Sequence, residues 1–147
     1  MRALLQRVKQ ARVEVNEETI GAIGPGLVIF VCAMQGDSIE EARYLAGKAA
    51  RMRLFADEDG KTNLSVLDTG GEALVVSQFT LAAEWKKGNR PGFSKAAPPD
   101  QGKELYEQFC TALGKEGVPV QTGQFAANMQ VSLVNYGPFT IWMDSAD

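Results

Sequence analysis

The chain has 147 residues, of which 45% are hydrophobic and 22% charged, and its formal net charge is -3. These values predict one globular domain over residues 1–147, large enough to bury a core without a disulfide or metal staple. No apolar run approaches the ~20 residues of a membrane span, and none is suited to a signal peptide, so we expect a cytoplasmic protein without a membrane partner. The acidic balance argues against a broad nucleic-acid-binding surface, but it permits contact with one RNA end.

The sequence contains no histidine. Catalytic schemes of the Ser-His-Asp or Cys-His type and His-ligated zinc sites are therefore excluded. The two cysteines, Cys32 and Cys110, are too few for a four-Cys zinc site, and their apolar and helical surroundings predict buried free thiols in a reducing compartment. We expect neither a metal nor another cofactor.

The N-terminal part of the chain predicts strands. Short strand patterns occupy residues 3–8, 12–15 and 19–23, and Gly24-Pro25-Gly26 follows them as a strong turn signal. The continuous apolar run 27–33 is typical of a strand that is buried on both faces or lies at a subunit contact.

A capping box begins the first predicted helix. The side chains of Ser38 and Glu41 can each accept a hydrogen bond from a free backbone N–H group in the first turn. Apolar residues at helical spacing follow them. We therefore predict a helix over residues 38–53 and an Asp-Gly turn at 57–60.

The C-terminal half alternates strands, a long loop and a second helix. We predict a strand at 72–81, an irregular segment at 82–99 of the length that is typical of functional loops, and a helix from Asp100 to Gly114 or Gly117. The closing strands are predicted at 118–120, 129–135 and 139–143. Two main helices with seven or eight short strands indicate an α+β domain with a mostly antiparallel, barrel-like sheet.

Two polar segments and two basic clusters are candidates for function. Hydroxyl groups in Ser77-Gln78-Phe79-Thr80 follow a hydrophobic strand, where they are either nucleophiles without a histidine base or simply caps of the strand end. Asn135-Tyr136-Gly137-Pro138 has the composition of a hairpin turn. The basic clusters, which are either solvated faces or phosphate contacts, are Arg43, Lys48, Arg51 and Arg53, and then Lys86, Lys87, Arg90 and Lys95.

The two polar segments also carry a family resemblance. Ser77-Gln78-Phe79-Thr80-Leu81 and Asn135-Tyr136-Gly137-Pro138-Phe139-Thr140 together resemble the paired signatures of the D-aminoacyl-tRNA deacylases, also called D-tyrosyl-tRNA deacylases. The likeness extends over nearly the whole chain and includes Gln6-Arg7-Val8, Arg90-Pro91, Phe93-Ser94-Lys95, Thr122-Gly123 and Phe125-Ala126. It implies a cytoplasmic homodimer, with its active site at the subunit interface, that hydrolyses the ester between a D-amino acid and the 3′ end of tRNA.

The resemblance also implies roles for individual residues. Gly137-Pro138 is implied to be a Gly–cisPro element that enters the partner's active site and excludes L-amino acids, although trans is the commoner state of such bonds. Ser77, Gln78, Phe79 and Thr80 are implied to line the catalytic pocket. The implied supporting residues are Arg7, which braces the Gly-Pro turn, Phe125 and Met129 at the adenosine end, Asn135 and Thr140. From their charge and their place in the loop, rather than from the resemblance, we expect Lys86, Lys87, Arg90 and Lys95 to contact tRNA phosphates.

Physical chemistry allows such a reaction without histidine. An aminoacyl ester is activated, and one N–H donor aimed at the oxyanion contributes roughly 3–4 kcal/mol. We expect the backbone N–H groups near Phe79 and Thr80 to be these donors, with water attacking and the tRNA ribose hydroxyl assisting. Thr80 as a covalent nucleophile is the alternative mechanism.

Exclusion of L-amino acids by a steric barrier predicts one more substrate. Because glycine has no side chain to reject, glycyl-tRNA should also be a substrate. The open alternatives are an oligomeric binding module for a small amphipathic ligand and a hydrolase that uses Thr80 or Ser77 on ordinary esters or amides. The expected macromolecular partners are a tRNA acceptor end and a second copy of the chain, but not DNA.

Overall fold

The computed structural model describes residues 1–147 and contains eight strands and three α-helices. The strands are β1 (Arg2–Val15), β2 (Glu18–Ile23), β3 (Gly26–Cys32), β4 (Phe55–Ala56), β5 (Thr62–Leu64), β6 (Glu72–Ser77), β7 (Val120–Thr122) and β8 (Gln130–Asp144). The helices are α1 (Ile39–Arg51), α2 (Val66–Thr69) and α3 (Pro99–Lys115), and a 3-10 turn at Phe79–Ala82 follows β6. None of these helices is both long and apolar enough to cross a membrane.

The long strand β1 organises the main sheet. Its first half pairs with β3, its second half pairs with β2, and β8 pairs with both halves, so β8 occupies the opposite edge of β1. These three pairings are antiparallel, whereas β3 with β6 and β6 with β7 are parallel. Because β2 also contacts β6 and β7, the sheet curls into a nearly closed barrel. The predicted α+β domain with a barrel-like sheet is confirmed, and the sheet is a mixed one.

Both faces of the central strands are buried. Along β3, Leu27, Ile29 and Val31 pack toward α1 and α3, whereas Val28 faces the other way. The second face meets a smaller cluster formed by Val8, Ala11, Val13, Ile23, Val28, Leu74 and Val76. The continuous apolar run at 27–33 therefore predicted the double burial of β3 correctly, because a strand with two buried faces loses the usual polar alternation.

The first helix begins as its capping box predicts. The backbone N–H of Ser38 donates to Glu41 Oε2 at 2.7 Å, and the Ser38 hydroxyl accepts from the Glu40 N–H at 3.2 Å. The Ser38 hydroxyl also donates to Glu41 Oε2 at 2.7 Å, and this bond, followed by the one from the Ser38 backbone, lowers the pKa of the Glu41 carboxyl group. The helix ends at Arg51, two residues before the predicted boundary. The Asp-Gly turn at 57–60 is also present, and it joins β4 to β5.

Three predicted strand boundaries are wrong. Residues 3–8 and 12–15 belong to a single strand, since β8 pairs with both and a bulge at residues 9 and 10 absorbs the irregularity. The predicted strands 129–135 and 139–143 are likewise one strand, β8, without a hairpin turn between them. In these two cases, pairing with a distant strand continues through the predicted break. The strand predicted at 72–81 instead ends early, at Ser77, where the Gln78 N–H donates to Val31 O and the chain turns.

Candidate active site

A cavity of about 790 Å³ lies at the end of β6, a volume typical of small-molecule sites. It is bounded by the ends of β3 and β6, by the segment 93–99, by α3 and by residues 125–129. Its polar lining includes Ser77 and Gln78, while much of the remaining wall is apolar. The cavity thus has the form of a largely hydrophobic pocket with a few polar groups along one wall.

Sheet register and a fastened loop assemble this cavity. The parallel pairing of β3 with β6 sets Val31 opposite Ser77, so the two strands end side by side. The long loop is then tied to the end of β3, because the Ala97 N–H donates to Ala33 O and the Gln35 N–H donates to Lys95 O, both at 2.9 Å. The loop predicted as functional therefore forms the second wall of the pocket.

The turn after β6 begins at the wall of the pocket. Phe79 and Thr80 are the first residues of this 3-10 turn, where the N–H groups have no acceptor within the turn itself. Phe79 lines the cavity and its ring meets the Phe93 ring edge-on, with centroids 5.0 Å apart. Thr80 is exposed and does not line the cavity, and its hydroxyl accepts a hydrogen bond from the Gln78 side-chain amide.

Cys32 also lines the cavity, but its surroundings favour the neutral thiol. The residue is buried and makes no disulfide, and burial raises the pKa of its thiol. The Sγ atom is 3.5 Å from the carbonyl oxygen of Phe79, to which it can donate. The second cysteine, Cys110, is free and only partly buried, and burial likewise raises its pKa, to about 11. Both cysteines were predicted to be buried free thiols. Both are free, but only Cys32 is fully buried.

Aromatic side chains form the end of the cavity that faces α3. Tyr106 donates its hydroxyl to Val75 O at 2.8 Å, and burial raises its pKa. Its ring lies 6.1 Å from the Phe125 ring, and Phe125 and Met129 both line the cavity. The sequence analysis did not single out Tyr106, since its position on the apolar stripe of α3 looks like ordinary core.

The Gly-Pro segment projects from the sheet as a bulge. Gln6 pairs with Thr140 and Val8 pairs with Asn135, so residues 136–139 stand opposite Arg7 alone. The Gly137-Pro138 peptide bond is cis, and both residues are exposed. Neither residue lines the cavity of its own chain. One chain alone therefore does not bring Gly137 and Pro138 together with residues 77–80.

Arg7 holds the base of this bulge. Its side chain is buried and donates from Nε to Tyr136 O at 2.9 Å and from Nη1 to Leu54 O at 2.7 Å. The guanidinium also lies 4.5 Å from the Tyr136 ring and 4.4 Å from the Phe139 ring. A Cβ atom at Gly137 would be 2.7 Å from Arg7 Nη2, at a φ of +128° that L-residues rarely adopt. The close approach of the guanidinium to the bulge requires glycine.

Asn135 and Thr140 also support the bulge at residues 136–139. The Asn135 amide donates to Arg7 O at 2.9 Å and to Phe139 O at 3.0 Å. The Thr140 hydroxyl donates to Asn135 Oδ1 at 3.3 Å and accepts from Gln6 Nε2 at 3.2 Å. Gln6 was not predicted as a supporting residue, and its only signal was its place beside Arg7 in the family-like segment.

The basic loop residues divide into two groups. Lys86, Lys87 and Arg90 are exposed and have no carboxylate within 4.0 Å. Lys95 instead pairs with Glu84 at 2.9 Å, and its hydrogen bond lowers the pKa of that carboxyl group. None of the four lines the cavity, but Phe93 and Ser94 do, so the basic loop begins at its rim.

Comparison with known proteins agrees with this geometry. A model of the D-Tyr-tRNA(Tyr) deacylase family matches residues 4–144, and the chain belongs to this family of hydrolases. A D-aminoacyl-tRNA deacylase of Ruegeria pomeroyi is 60% identical over 144 residues, which are 98% of this chain and 99% of that one. The resemblance inferred from the two signatures is confirmed.

Two solved structures share the fold. One, named c-Myc DNA Unwinding Element Binding Protein, is 40% identical, has a TM-score of 0.93 and covers 99% of each chain. The other, described as a probable eukaryotic D-amino acid tRNA deacylase, is 18% identical, has a TM-score of 0.82 and covers 97% of each chain. The second likeness concerns the fold alone.

Proposed function

We propose that this protein hydrolyses the ester bond of D-aminoacyl-tRNA in the cytoplasm, releasing the D-amino acid and tRNA, and that it also accepts glycyl-tRNA. One observation carries the proposal. In a chain that belongs to the D-Tyr-tRNA(Tyr) deacylase family, the segment 77–79 forms a wall of a cavity of about 790 Å³. The cavity has room for an amino acid and the terminal nucleoside, and it lies beside a basic loop that suits RNA.

Catalysis is assigned to the main chain. The N–H groups of Phe79 and Thr80, at the start of the 3-10 turn, are the donors that stabilise the oxyanion as water attacks the ester carbonyl carbon. One such donor contributes roughly 3–4 kcal/mol, and the activated ester lowers the demand on the rest of the site. The neighbouring ribose hydroxyl of the tRNA assists the attack, which makes RNA rather than DNA the partner, since DNA lacks that hydroxyl.

Chiral selection is assigned to Gly137-Pro138 of a second subunit. The bulge is exposed, it is braced by Arg7 and Asn135, and it lies outside the cavity of its own chain. A main-chain carbonyl next to proline cannot swing aside as a side chain does, so it is a firm wall against the side chain of an L-amino acid. Val134, Tyr136 and Trp142, which are about half exposed on β8, supply the apolar surface for a homodimer.

One assay tests the proposal and its rivals. The protein is incubated with matched D-, L- and glycyl-tRNA, and the rate of ester loss is measured against spontaneous hydrolysis. We expect rapid loss of the D- and glycyl esters and survival of the L-ester. Equal loss of D- and L-esters would indicate a general esterase that uses Thr80 or Ser77, and no loss would indicate a ligand-binding module.

A further inference from the structure

A short loop at the rim of the cavity combines an exposed tryptophan with three cations. We call residues 85–91 the rim loop; its sequence is Trp-Lys-Lys-Gly-Asn-Arg-Pro, without a carboxylate. Glu84 and Gly92 close it through two backbone hydrogen bonds of 2.8 and 2.9 Å. Phe93 and Ser94, which follow Gly92, line the cavity, so the rim loop adjoins the cavity.

The indole of Trp85 is largely exposed to solvent. Trp85 is 70% exposed, more than any other large hydrophobic residue of the chain. Phe79 is also exposed, but its ring packs against Phe93, whereas Trp85 has no aromatic or cationic neighbour. Most of the indole surface is therefore available to a ligand.

The charge of the rim loop is opposite to that of the whole chain. Lys86, Lys87 and Arg90 place three unpaired positive charges within five residues, although the protein carries a formal net charge of -3. The one carboxylate at the base of the loop, Glu84, is occupied by Lys95. The rim loop is therefore electrostatically complementary to a polyanion, and Lys95 does not add to its free charge.

We propose that Trp85 stacks on an unpaired base at the 3′ end of the RNA, while Lys86, Lys87 and Arg90 contact the adjoining phosphates. This inference rests on the proposed function, which places the 3′ end of a tRNA in the neighbouring cavity. Every base has a π-face, so stacking on an aromatic residue grips single-stranded RNA of any sequence, and the cations follow the backbone. Inside a duplex both faces of each base are covered by its neighbours, so the unpaired end is the occupant.

The test uses RNA that carries no amino acid. Binding of a labelled RNA hairpin with four unpaired 3′ nucleotides is compared with binding of the same hairpin with a flush end. We expect Trp85→Ala to raise the Kd for the first RNA about tenfold, to leave the Kd for the second unchanged, and to abolish quenching of tryptophan fluorescence by the first. Trp85→Phe should restore most of the affinity, because it keeps an aromatic face.

Charge variants test the phosphate contacts separately. The double variant Lys86→Gln/Lys87→Gln should weaken binding and lower the slope of log K against log salt by about 0.7 for each phosphate that is no longer neutralised. Trp85→Ala should leave that slope unchanged. Tyr44→Ala, which removes a half-exposed aromatic ring on α1, and Lys61→Gln, which removes an exposed charge near β5, are the matched controls.

Two results would overturn the inference. Either the Trp85→Ala protein, with an unchanged thermal unfolding curve, binds the unpaired RNA as well as the wild type does, or it loses affinity for both RNAs equally. Because no ester is present, these results are independent of deacylation. Stacking without loss of D-aminoacyl esters would instead refute the proposed function and leave the RNA contact standing.

Discussion

Several side chains at or next to the cavity carry a nucleophilic atom, among them Ser77, Thr80 and Cys32. The chain has no histidine. The hydroxyl of Thr80 accepts a hydrogen bond from the side-chain amide of Gln78, and an amide does not act as a general base. Burial raises the pKa of the Cys32 thiol and so keeps it protonated near neutral pH. A nucleophile needs an adjacent base or a lowered pKa, and the main chain is therefore the better candidate for the catalytic work.

Removal of the Thr80 hydroxyl separates the two mechanisms. We expect Thr80→Ala to hydrolyse D-aminoacyl-tRNA at near-normal turnover, within about fivefold of the wild type, because its backbone N–H is retained. Single-turnover kinetics with saturating enzyme would measure the chemical step directly. A drop of roughly a thousandfold, together with a normal unfolding temperature, would support a covalent Thr80 mechanism instead.

At the scale of elements, the bulge in β8 is the feature that carries specificity in our proposal. Four residues of β8 stand opposite one residue of β1, so the pleated ladder cannot continue through them and the extra chain projects outward. Hydrogen bonds from Arg7 and Asn135 to the carbonyls at its two ends hold the projection in place. A strand thus presents main-chain atoms with a rigidity that an ordinary loop lacks.

A glycine pair tests the fit of the bulge. Gly137→Ala should lower the free energy of unfolding by about 1–3 kcal/mol, because the new Cβ meets Arg7 in a backbone conformation unfavourable to alanine. Gly24→Ala is the control, since a Cβ there has nothing within 4 Å, and its stability should change by less than about 1 kcal/mol. Urea unfolding measures both. Equal stabilities for the two variants would show that neither the contact with Arg7 nor the backbone conformation at residue 137 opposes alanine.

At the scale of the whole molecule, our proposal brings the signature segments together by the association of two chains. The cavity forms within one chain, and Gly137 and Pro138, which lie on an exposed part of β8, do not line it. A two-fold pairing of identical surfaces would carry each bulge to the other's cavity and would produce two equivalent composite sites. The half-exposed aromatic residues on β8 are then buried rather than solvated.

Complementation between two defective chains tests this arrangement. Gly137→Val alters the projecting element, and Ala97→Phe fills the cavity, so each homodimer should lose selective deacylation. After random mixing of unfolded and refolded chains, one site in each heterodimer is intact, and we expect about a quarter of the wild-type number of sites. D-selective ester loss by the mixture is the measurement. If the mixture stays inactive although heterodimers are detected, the two segments act within one chain.

The spacing of apolar residues predicted most of the architecture, because the burial of a face of a helix or strand imposes that spacing on the sequence. The apolar spacing behind Ser38 and the unbroken run 27–33 reflect single local requirements, one helical stripe and one doubly buried strand, and both are present in the structure. The prediction of a hairpin turn at residues 135–138 was wrong, because glycine and proline suit a turn and a bulge equally well. Only the register against β1 distinguishes the two.

The amino-acid sequence alone determined the absence of histidine chemistry, the α+β class and the two signature segments, because these depend on residue identity and local spacing. The tertiary structure decided that residues 77–79 wall a cavity, that Thr80 stands outside it, and that Gly137-Pro138 projects away from it. Such relations depend on which distant strands pair and in what register. That choice is made by the summed burial of the whole core, which no single segment contains.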